Sequence, residues 1–174
     1  MTRYRFAVAL TFAAAAALAP GLPAWAQATA SHADAPLQDA APVTIGAIEI
    51  SGAFTRATLP NAPVAGGFMT ITNTGTEDDR LVGVETGIAK EGQIHEMAME
   101  GDVMKMRQLT DGLLIPAGES VSLAPGGYHL MFMGLNAAIA EGDAVPVTLI
   151  FEKAGTITLD LMAGGTAASQ AMGH

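Results

Sequence analysis

The sequence predicts an all-β domain, a β-sandwich or Greek-key barrel built from many short strands. After Thr44, apolar and polar residues alternate over short stretches, which is the side-chain period of a half-buried strand. Gly, Pro and Asn interrupt these stretches at short intervals, and almost no helical period is present. About 120 residues remain between Thr44 and Ala163, enough for one domain with its own core. We therefore expect a single domain over residues 44–162.

The strand-like stretches follow one another along the chain with turn residues between them. In chain order we expect strands, singly or in pairs, within residues 45–54, 66–73, 80–85, 92–99, 103–107, 113–123, 128–133 and 145–162.

Four connections carry specific expectations. Glu100-Gly101-Asp102 is short and contains Gly, as a hairpin requires, so the segments on either side should be antiparallel neighbours. Glu77-Asp78-Asp79 should form a charged, exposed tip, and Glu152 to Gly155 should turn the chain between the last two strands. Residues 136–142 should form a short helical or loop crossover.

The first 26 residues have the organisation of a secretory signal peptide. Arg3 and Arg5 provide a positive start, an alanine-rich apolar run follows, and small residues precede a cleavage position near Ala26. The apolar run is too short for a membrane anchor and is interrupted by prolines. We therefore expect an exported, periplasmic protein without stable membrane insertion, with residues 27–43 as a flexible leader.

Composition excludes several classes of function. Removing Arg3 and Arg5 changes the formal charge from −9 to −11, and so acidic a protein lacks the clustered Lys and Arg that nucleic acids or anionic membranes require. The chain contains no cysteine, so disulfides, thiolate zinc sites and a blue-copper centre are excluded.

Histidine and methionine are concentrated between residues 95 and 133. This stretch holds six of the ten methionines and two of the four histidines. His95, Met97 and Met99 occupy alternate positions, as do His129, Met131 and Met133; Met104 and Met106 lie between the two groups. On strands, alternate residues project from one face, about 7 Å apart. Imidazole and thioether should therefore lie side by side.

Two interpretations of this pattern remain open. Methionine is the usual gap filler of hydrophobic cores, and a lone histidine in a strand is more often structural than a ligand. Thioethers, however, suit Cu(I) and are poor ligands for zinc, calcium or magnesium, while imidazole suits copper in either oxidation state. The repetition of His-x-Met in two segments favours a copper site over core packing alone.

The spacing of these residues resembles that of the PCuAC family, periplasmic copper chaperones for the CuA site of cytochrome c oxidase. The family signature is a His, ten residues, a Met, about twenty-one residues, then His-x-Met. Here ten residues separate His95 from Met106, and residues 107–128 precede His129 and Met131. The second interval is one residue longer, most simply through a longer turn near residues 110–112. The phrases HEMAMEGDVMKMR, IPAG, PGGYHLMFMGL and FEKAG extend the resemblance over residues 45–162.

The resemblance implies a cupredoxin-like fold and nominates His95, Met106, His129 and Met131 as ligands of Cu(I). It also implies delivery of copper to the oxidase CuA subunit, directly or through a Sco-type partner, by a protein that is not an enzyme. We expect a monomer. The tail over residues 163–174 ends in Met172 and His174, which could form an accessory site for Cu(II) or could be a flexible end.

Two other functions use the same residues. A copper-sequestering buffer would need the same ligands as a copper donor. A copper enzyme or electron carrier is less favoured because the chain has no Cys for a blue site and no Ser/His/Asp or paired-carboxylate arrangement of recognisable spacing.

Overall fold

The computed structural model describes residues 41–168, which form eleven β-strands and no helix. The all-β prediction is therefore confirmed for this part of the chain. The predicted signal peptide, most of the leader and the Met172 and His174 end of the tail lie outside the described residues. The strands are β1 (Val43–Ile45), β2 (Ile48–Arg56), β3 (Val64–Asn73), β4 (Asp79–Thr86), β5 (Ala89–Glu100), β6 (Val103–Gln108), β7 (Leu113–Ile115), β8 (Ser120–Leu123), β9 (Tyr128–Leu135), β10 (Ala144–Phe151) and β11 (Thr156–Gly164).

The strands are hydrogen-bonded in the order β6-β5-β9-β8-β3-β2-β11-β10-β4-β7, and β1 pairs with β2. The sheet is mixed, because β2 and β11 run parallel, as do β8 and β9, whereas the other paired strands are antiparallel. Apolar side chains from both halves of this order pack into one core; fully buried examples are Ile71, Leu81, Leu130, Phe132 and Leu149. No helix in residues 41–168 has the length and apolarity needed to cross a bilayer.

The hairpin of β5 and β6 lies at one end of this strand order. Glu100 pairs with Val103, so the turn consists of two residues, Gly101 and Asp102, one fewer than the sequence predicts. Gly101 has φ +64°, a conformation that glycine adopts without steric cost. The antiparallel pairing predicted for the two methionine-bearing segments is observed.

Two local features differ from the sequence predictions. Asp79 does not belong to an exposed tip; it is the buried first residue of β4. β9 continues through Gly134 to Leu135 rather than ending after Met133. Residues 136–142 form a loop, one of the two predicted alternatives. The strands extend from Val43 to Gly164, because Val43 pairs with Ile50 and Ala163 pairs with Thr55, both on β2.

Asp79 is buried because its carboxylate satisfies three backbone donors. Oδ1 accepts hydrogen bonds from the N–H groups of Arg80 (2.7 Å) and Lys153 (2.9 Å), and Oδ2 accepts one from Ala154 (2.9 Å). Burial by itself raises the pKa of this carboxyl, but the three hydrogen bonds, with the nearby Lys153 ammonium, outweigh burial and hold the pKa below its ordinary value of 3.8. The carboxylate thereby joins the start of β4 to the turn between β10 and β11.

Replacing Asp79 by Asn is expected to destabilise the fold by about 2 kcal/mol, since an amide NH₂ would meet a backbone donor. A carboxyl with a lowered folded pKa contributes stability above its unfolded pKa and loses it as the pH falls through the folded value. The difference between wild type and variant should therefore be constant near neutral pH and shrink below pH 3.8. Urea unfolding across pH 2–7 measures this difference in the free energy of unfolding, and the exposed Asp160→Asn variant is the control. An undiminished difference at the lowest pH would contradict this explanation.

Candidate metal centre

The histidine and methionine side chains of the central stretch share one face of the three strands β6, β5 and β9. The register places His95 opposite His129, Gln93 opposite Met131, and Glu91 opposite Met133. On the other side of β5, Met97 lies opposite Met106 and Met99 opposite Met104. Directly opposed residues project from the same face, and residues two apart on a strand do so as well. All eight residues of the sequence pattern are therefore on one face, which we call the His–Met face: His95, Met97, Met99, Met104, Met106, His129, Met131 and Met133.

The two histidines are direct neighbours on the His–Met face. Their ring centroids are 5.7 Å apart with an interplanar angle of 51°. His129 is buried, with 7% of its surface exposed, and His95 is half-buried. Burial lowers the pKa of His95 below 6.5, and the neighbouring His129 lowers it further. At neutral pH the imidazole of His95 is therefore uncharged and has a lone pair available for a cation.

Hydrogen bonds define which nitrogen of each ring carries that lone pair. Nδ1 of His129 lies 3.1 Å from the carbonyl oxygen of Gly127, which can only accept, so Nδ1 carries the proton and Nε2 is free. Nε2 of His95 lies 2.7 Å from Oε1 of Gln93. The amide nitrogen of Gln93 donates to Glu91 Oε1 at 2.9 Å, which orients the amide with its oxygen towards His95. His95 is therefore protonated on Nε2.

Nδ1 of His95 is the unpaired atom of this arrangement. It is buried, and within residues 41–168 it is the one buried side-chain nitrogen or oxygen that has no hydrogen-bond partner. A buried polar atom without a partner costs free energy, which a ligand can recover. A ring whose other nitrogen donates to an oriented acceptor is also the usual state of a metal-binding histidine. The donor set therefore fits a cation bound between the two rings.

The two predicted methionine ligands flank the histidine pair on opposite sides. Met131 lies one step along β9 from His129, and Met106 lies diagonally from His95 on β6, in the same row as Met97. Each step of two residues is about 7 Å. The structure thus brings the imidazoles together and places both thioethers on the same face, but it leaves them on either side of the histidine row. Both side chains must turn towards that row to share one ion, and the three rotatable bonds of methionine permit this.

Core packing does not account for the methionines of the hairpin. Met99, Met104 and Met106 are 60%, 47% and 48% exposed, respectively, and Met97 is half-buried. The core of this part of the sheet lies on the opposite face, where Ile94, Leu130 and Phe132 are buried. The interpretation of these methionines as core gap fillers is therefore wrong for the hairpin.

The His–Met face lacks the ligand groups that zinc, calcium and magnesium require. Within residues 41–168 no three His, Cys, Asp or Glu side chains are grouped so that they could hold a metal ion. Zinc, calcium and magnesium sites are built from such groups, whereas two imidazoles with neighbouring thioethers suit a soft monovalent cation.

The sequence did not identify three groups that orient the histidine rings through hydrogen bonds: the side chains of Gln93 and Glu91 and the carbonyl of Gly127. Gln93 occupies the strand position two residues before His95, so it shares the face of His95, and this alternation was the available signal. The Gly127 carbonyl carries no side-chain signal. Its role depends on the turn before β9, where Gly126 has φ +87°.

Comparisons with known proteins extend these observations. The family described as "Putative lipoprotein LpqE-like" matches residues 48–163. The chain is 34% identical over 109 residues to "Putative lipoprotein Lxx21020" of Leifsonia xyli subsp. xyli (strain CTCB07), covering 63% of this chain and 64% of the length of that relative.

Solved structures share the fold. The PCuAC domain of PmoF2 superposes with a TM-score of 0.63 in its apo form and 0.62 in its copper-bound form, at 28% identity. The two alignments cover 75% and 72% of this chain, and 100% and 99% of the domain. The solution structure of CuI-DR1885 from Deinococcus radiodurans has a TM-score of 0.56 and 26% identity, covering 72% of this chain and 81% of that protein. Such domains have a cupredoxin-like β-fold, so the prediction of fold class is confirmed.

Proposed function

From the premise that this chain belongs to the LpqE-like, PCuAC-type family, we propose that it is a copper chaperone that carries Cu(I) outside the cytoplasm. The observation that supports copper binding most directly is the histidine pair, with its two uncommitted ring nitrogens and the partnerless Nδ1 of His95. Copper-bound forms of the similar PmoF2 domain and of DR1885 provide a second argument.

The proposed ligands are His95, Met106, His129 and Met131. The two thioethers carry no charge, the imidazole of His95 is uncharged at neutral pH, and the sulfur and nitrogen donors of the set match the preference of Cu(I). No thiolate is involved, so the site cannot be lost to disulfide formation in an oxidising compartment. Met97 shares the row of Met106 and is the competing thioether on this side of the histidines.

The position of the site suits transfer of the ion. β6 is the edge strand of the sheet, and Met106 on it is half exposed. A partner's ligands can therefore approach from the open side and replace the thioethers one at a time, before the more buried His129 releases the ion. We propose that the acceptor is the CuA site of cytochrome c oxidase, reached directly or through a Sco-type protein.

We also propose that the protein is exported to the periplasm. The signal-peptide pattern of residues 1–26 and the lipoprotein names of the family and of its Leifsonia relative support a periplasmic location. In that compartment the protein would bind and release copper without catalysing a reaction. An accessory Cu(II) site at Met172 and His174 is part of this proposal, and deletion of residues 169–174 tests it through copper stoichiometry.

A transfer assay separates a chaperone from a copper buffer. The Cu(I)-loaded protein is mixed with the apo CuA domain, with and without a reduced Sco-type protein, and copper on each protein is measured after separation. A chaperone metallates the acceptor faster than free Cu(I) held by a chelator at the same free concentration. Retention of the metal, with no gain by the acceptor under any of these conditions, would identify a buffer and contradict delivery.

Gln93 should tune the site without binding copper. Replacing it by Ala removes the acceptor that holds the proton on Nε2 of His95, and so should weaken Cu(I) affinity by about 10-fold, the lower range for groups that orient a ligand. Competition titration with a colorimetric Cu(I) chelator measures this change. Exposed Gln108, opposite His95 on β6, provides the control variant Gln108→Ala. Equal affinities for the two variants would contradict the orienting role of Gln93.

A further inference from the structure

We propose that the tip of the β5–β6 hairpin carries a second copper site, made of thioethers alone, at which Cu(I) first binds before it moves to the histidine pair. Met99 and Met104 form this site and Met97 adjoins it. The inference rests on the proposed function and adds to it an uptake position outside the His95, Met106, His129 and Met131 set.

The strand register brings these methionines together in pairs. Met99 is directly opposite Met104, and the next pair towards the histidines is Met97 opposite Met106. Directly opposed residues in an antiparallel pair have Cβ atoms about 5 Å apart, so the flexible side chains of each pair can bring their sulfurs to one ion. Four thioethers therefore occupy two consecutive rows of the hairpin.

Solvent exposure shows that these two methionines do not belong to the hydrophobic core. Met99 and Met104 are among the most exposed large apolar side chains of the described residues. The pairing of β5 with β9 ends at Glu96 and Tyr128, so the tip extends beyond the neighbouring strand. Large apolar side chains on an exposed edge hairpin favour aggregation. Their presence at the tip therefore favours a functional role for the thioether groups, such as metal binding.

The two faces of the hairpin tip are chemically separate. Charged residues project from the face opposite the methionines, where Arg107 bonds Glu96 at 2.7 Å and Lys105 pairs with Glu100. These ion pairs link the two strands on one side and leave the methionine side without charge. A face of neutral sulfur donors binds a soft monovalent cation and offers nothing to hard divalent ions.

The rows of the His–Met face form a path towards the main site. From the tip, the Met99 and Met104 row is followed by the Met97 and Met106 row, and then by the histidine pair. Each step is about 7 Å, short enough for an ion to keep one sulfur while it gains the next. No bond other than a metal–ligand bond is made or broken, and the copper remains Cu(I) throughout.

The test uses Ag(I), a redox-inert analogue of Cu(I), with protein labelled at the methionine methyl carbons. In wild type, the methyl resonances of Met99 and Met104 should shift at low Ag(I), in addition to those of Met106 and Met131. In the His95→Ala/His129→Ala variant the tip resonances should still shift. Adding Met99→Leu/Met104→Leu to that variant should weaken this remaining binding several-fold, whereas adding Met162→Leu, an exposed methionine on β11, should leave it unchanged.

The outcomes distinguish this site from the main one. Shifts confined to Met106 and Met131 would overturn the tip site and leave the proposed function standing. Shifts of the tip resonances alone, with those of Met106 and Met131 unchanged, would support the tip site and contradict the main site. For uptake, the rate of loading from Cu(I)–bicinchoninate should fall several-fold in Met99→Leu/Met104→Leu with the main-site affinity unchanged. A rate equal to that of Met162→Leu would overturn the uptake role.

Discussion

Replacing both His95 and His129 by alanine is expected to lower Cu(I) affinity by more than about 100-fold, beyond the effect of losing an orienting neighbour. These residues provide the only two imidazoles on the His–Met face among the described residues, and they face each other across β5 and β9. The thioethers that remain are weaker donors, held in mobile side chains. Competition titration against a colorimetric Cu(I) chelator gives the affinity of each single and double variant.

The fold should survive these changes. Within residues 41–168, the ring of His95 bonds only the side chain of Gln93, and its Nδ1 has no protein partner. The ring of His129 bonds the Gly127 carbonyl, which also accepts the N–H of Met97. Urea unfolding of the apo proteins should therefore show a loss of no more than about 1 kcal/mol for half-buried His95→Ala and about 1 to 3 kcal/mol for buried His129→Ala. Tight Cu(I) binding by the double variant would refute the histidine pair as the main site.

Leucine variants of the methionines complete this comparison, because leucine retains volume and removes sulfur. Met106→Leu and Met131→Leu should each weaken Cu(I) binding more than Met133→Leu, which lies farther from the histidines. Met97→Leu is the informative additional variant, since Met97 occupies the same row as Met106. A larger loss of Cu(I) affinity for Met97→Leu than for Met106→Leu would identify Met97 on β5, rather than Met106 on β6, as the ligand on this side of the histidines.

Replacing Phe132 by alanine is expected to destabilise the protein by about 3 to 5 kcal/mol, the usual range for a buried aromatic ring. Phe132 is fully buried on the core face of β9, between Met131 and Met133 of the His–Met face. A cavity behind β9 would loosen the strand that carries His129 and Met131. We therefore expect Cu(I) affinity to fall as well, although Phe132 does not face the metal.

Met131→Leu on the same strand is the matched control for the Phe132 variant. It should change Cu(I) affinity with a loss of less than about 1.5 kcal/mol in stability, because leucine and methionine have similar volumes. Urea unfolding of the apo proteins separates the two effects. A loss below about 1 kcal/mol for Phe132→Ala would contradict the role of the ring as a main support of β9.

Much of the fold could be predicted from local patterns. The alternation of Tyr128 to Met133 predicted both a strand and the division of its side chains between two faces, and burial of Phe132 agrees with that division. The position of Asp79 could not be predicted in this way. A run of three acidic residues normally indicates solvent, and the donors that make burial favourable belong to Lys153 and Ala154, far away in the chain.

For the candidate site, too, local sequence patterns predicted some features and left others to the tertiary structure. The sequence alone determined which residue types could bind copper and that His95 and Met97, or His129 and Met131, project from one side of their strands, because side-chain alternation is a local property of the backbone. Only the tertiary structure decided that His95 lies opposite His129 and that the hairpin methionines are exposed. Strand order, register and burial depend on hydrogen bonds and packing between distant segments, which no local pattern specifies.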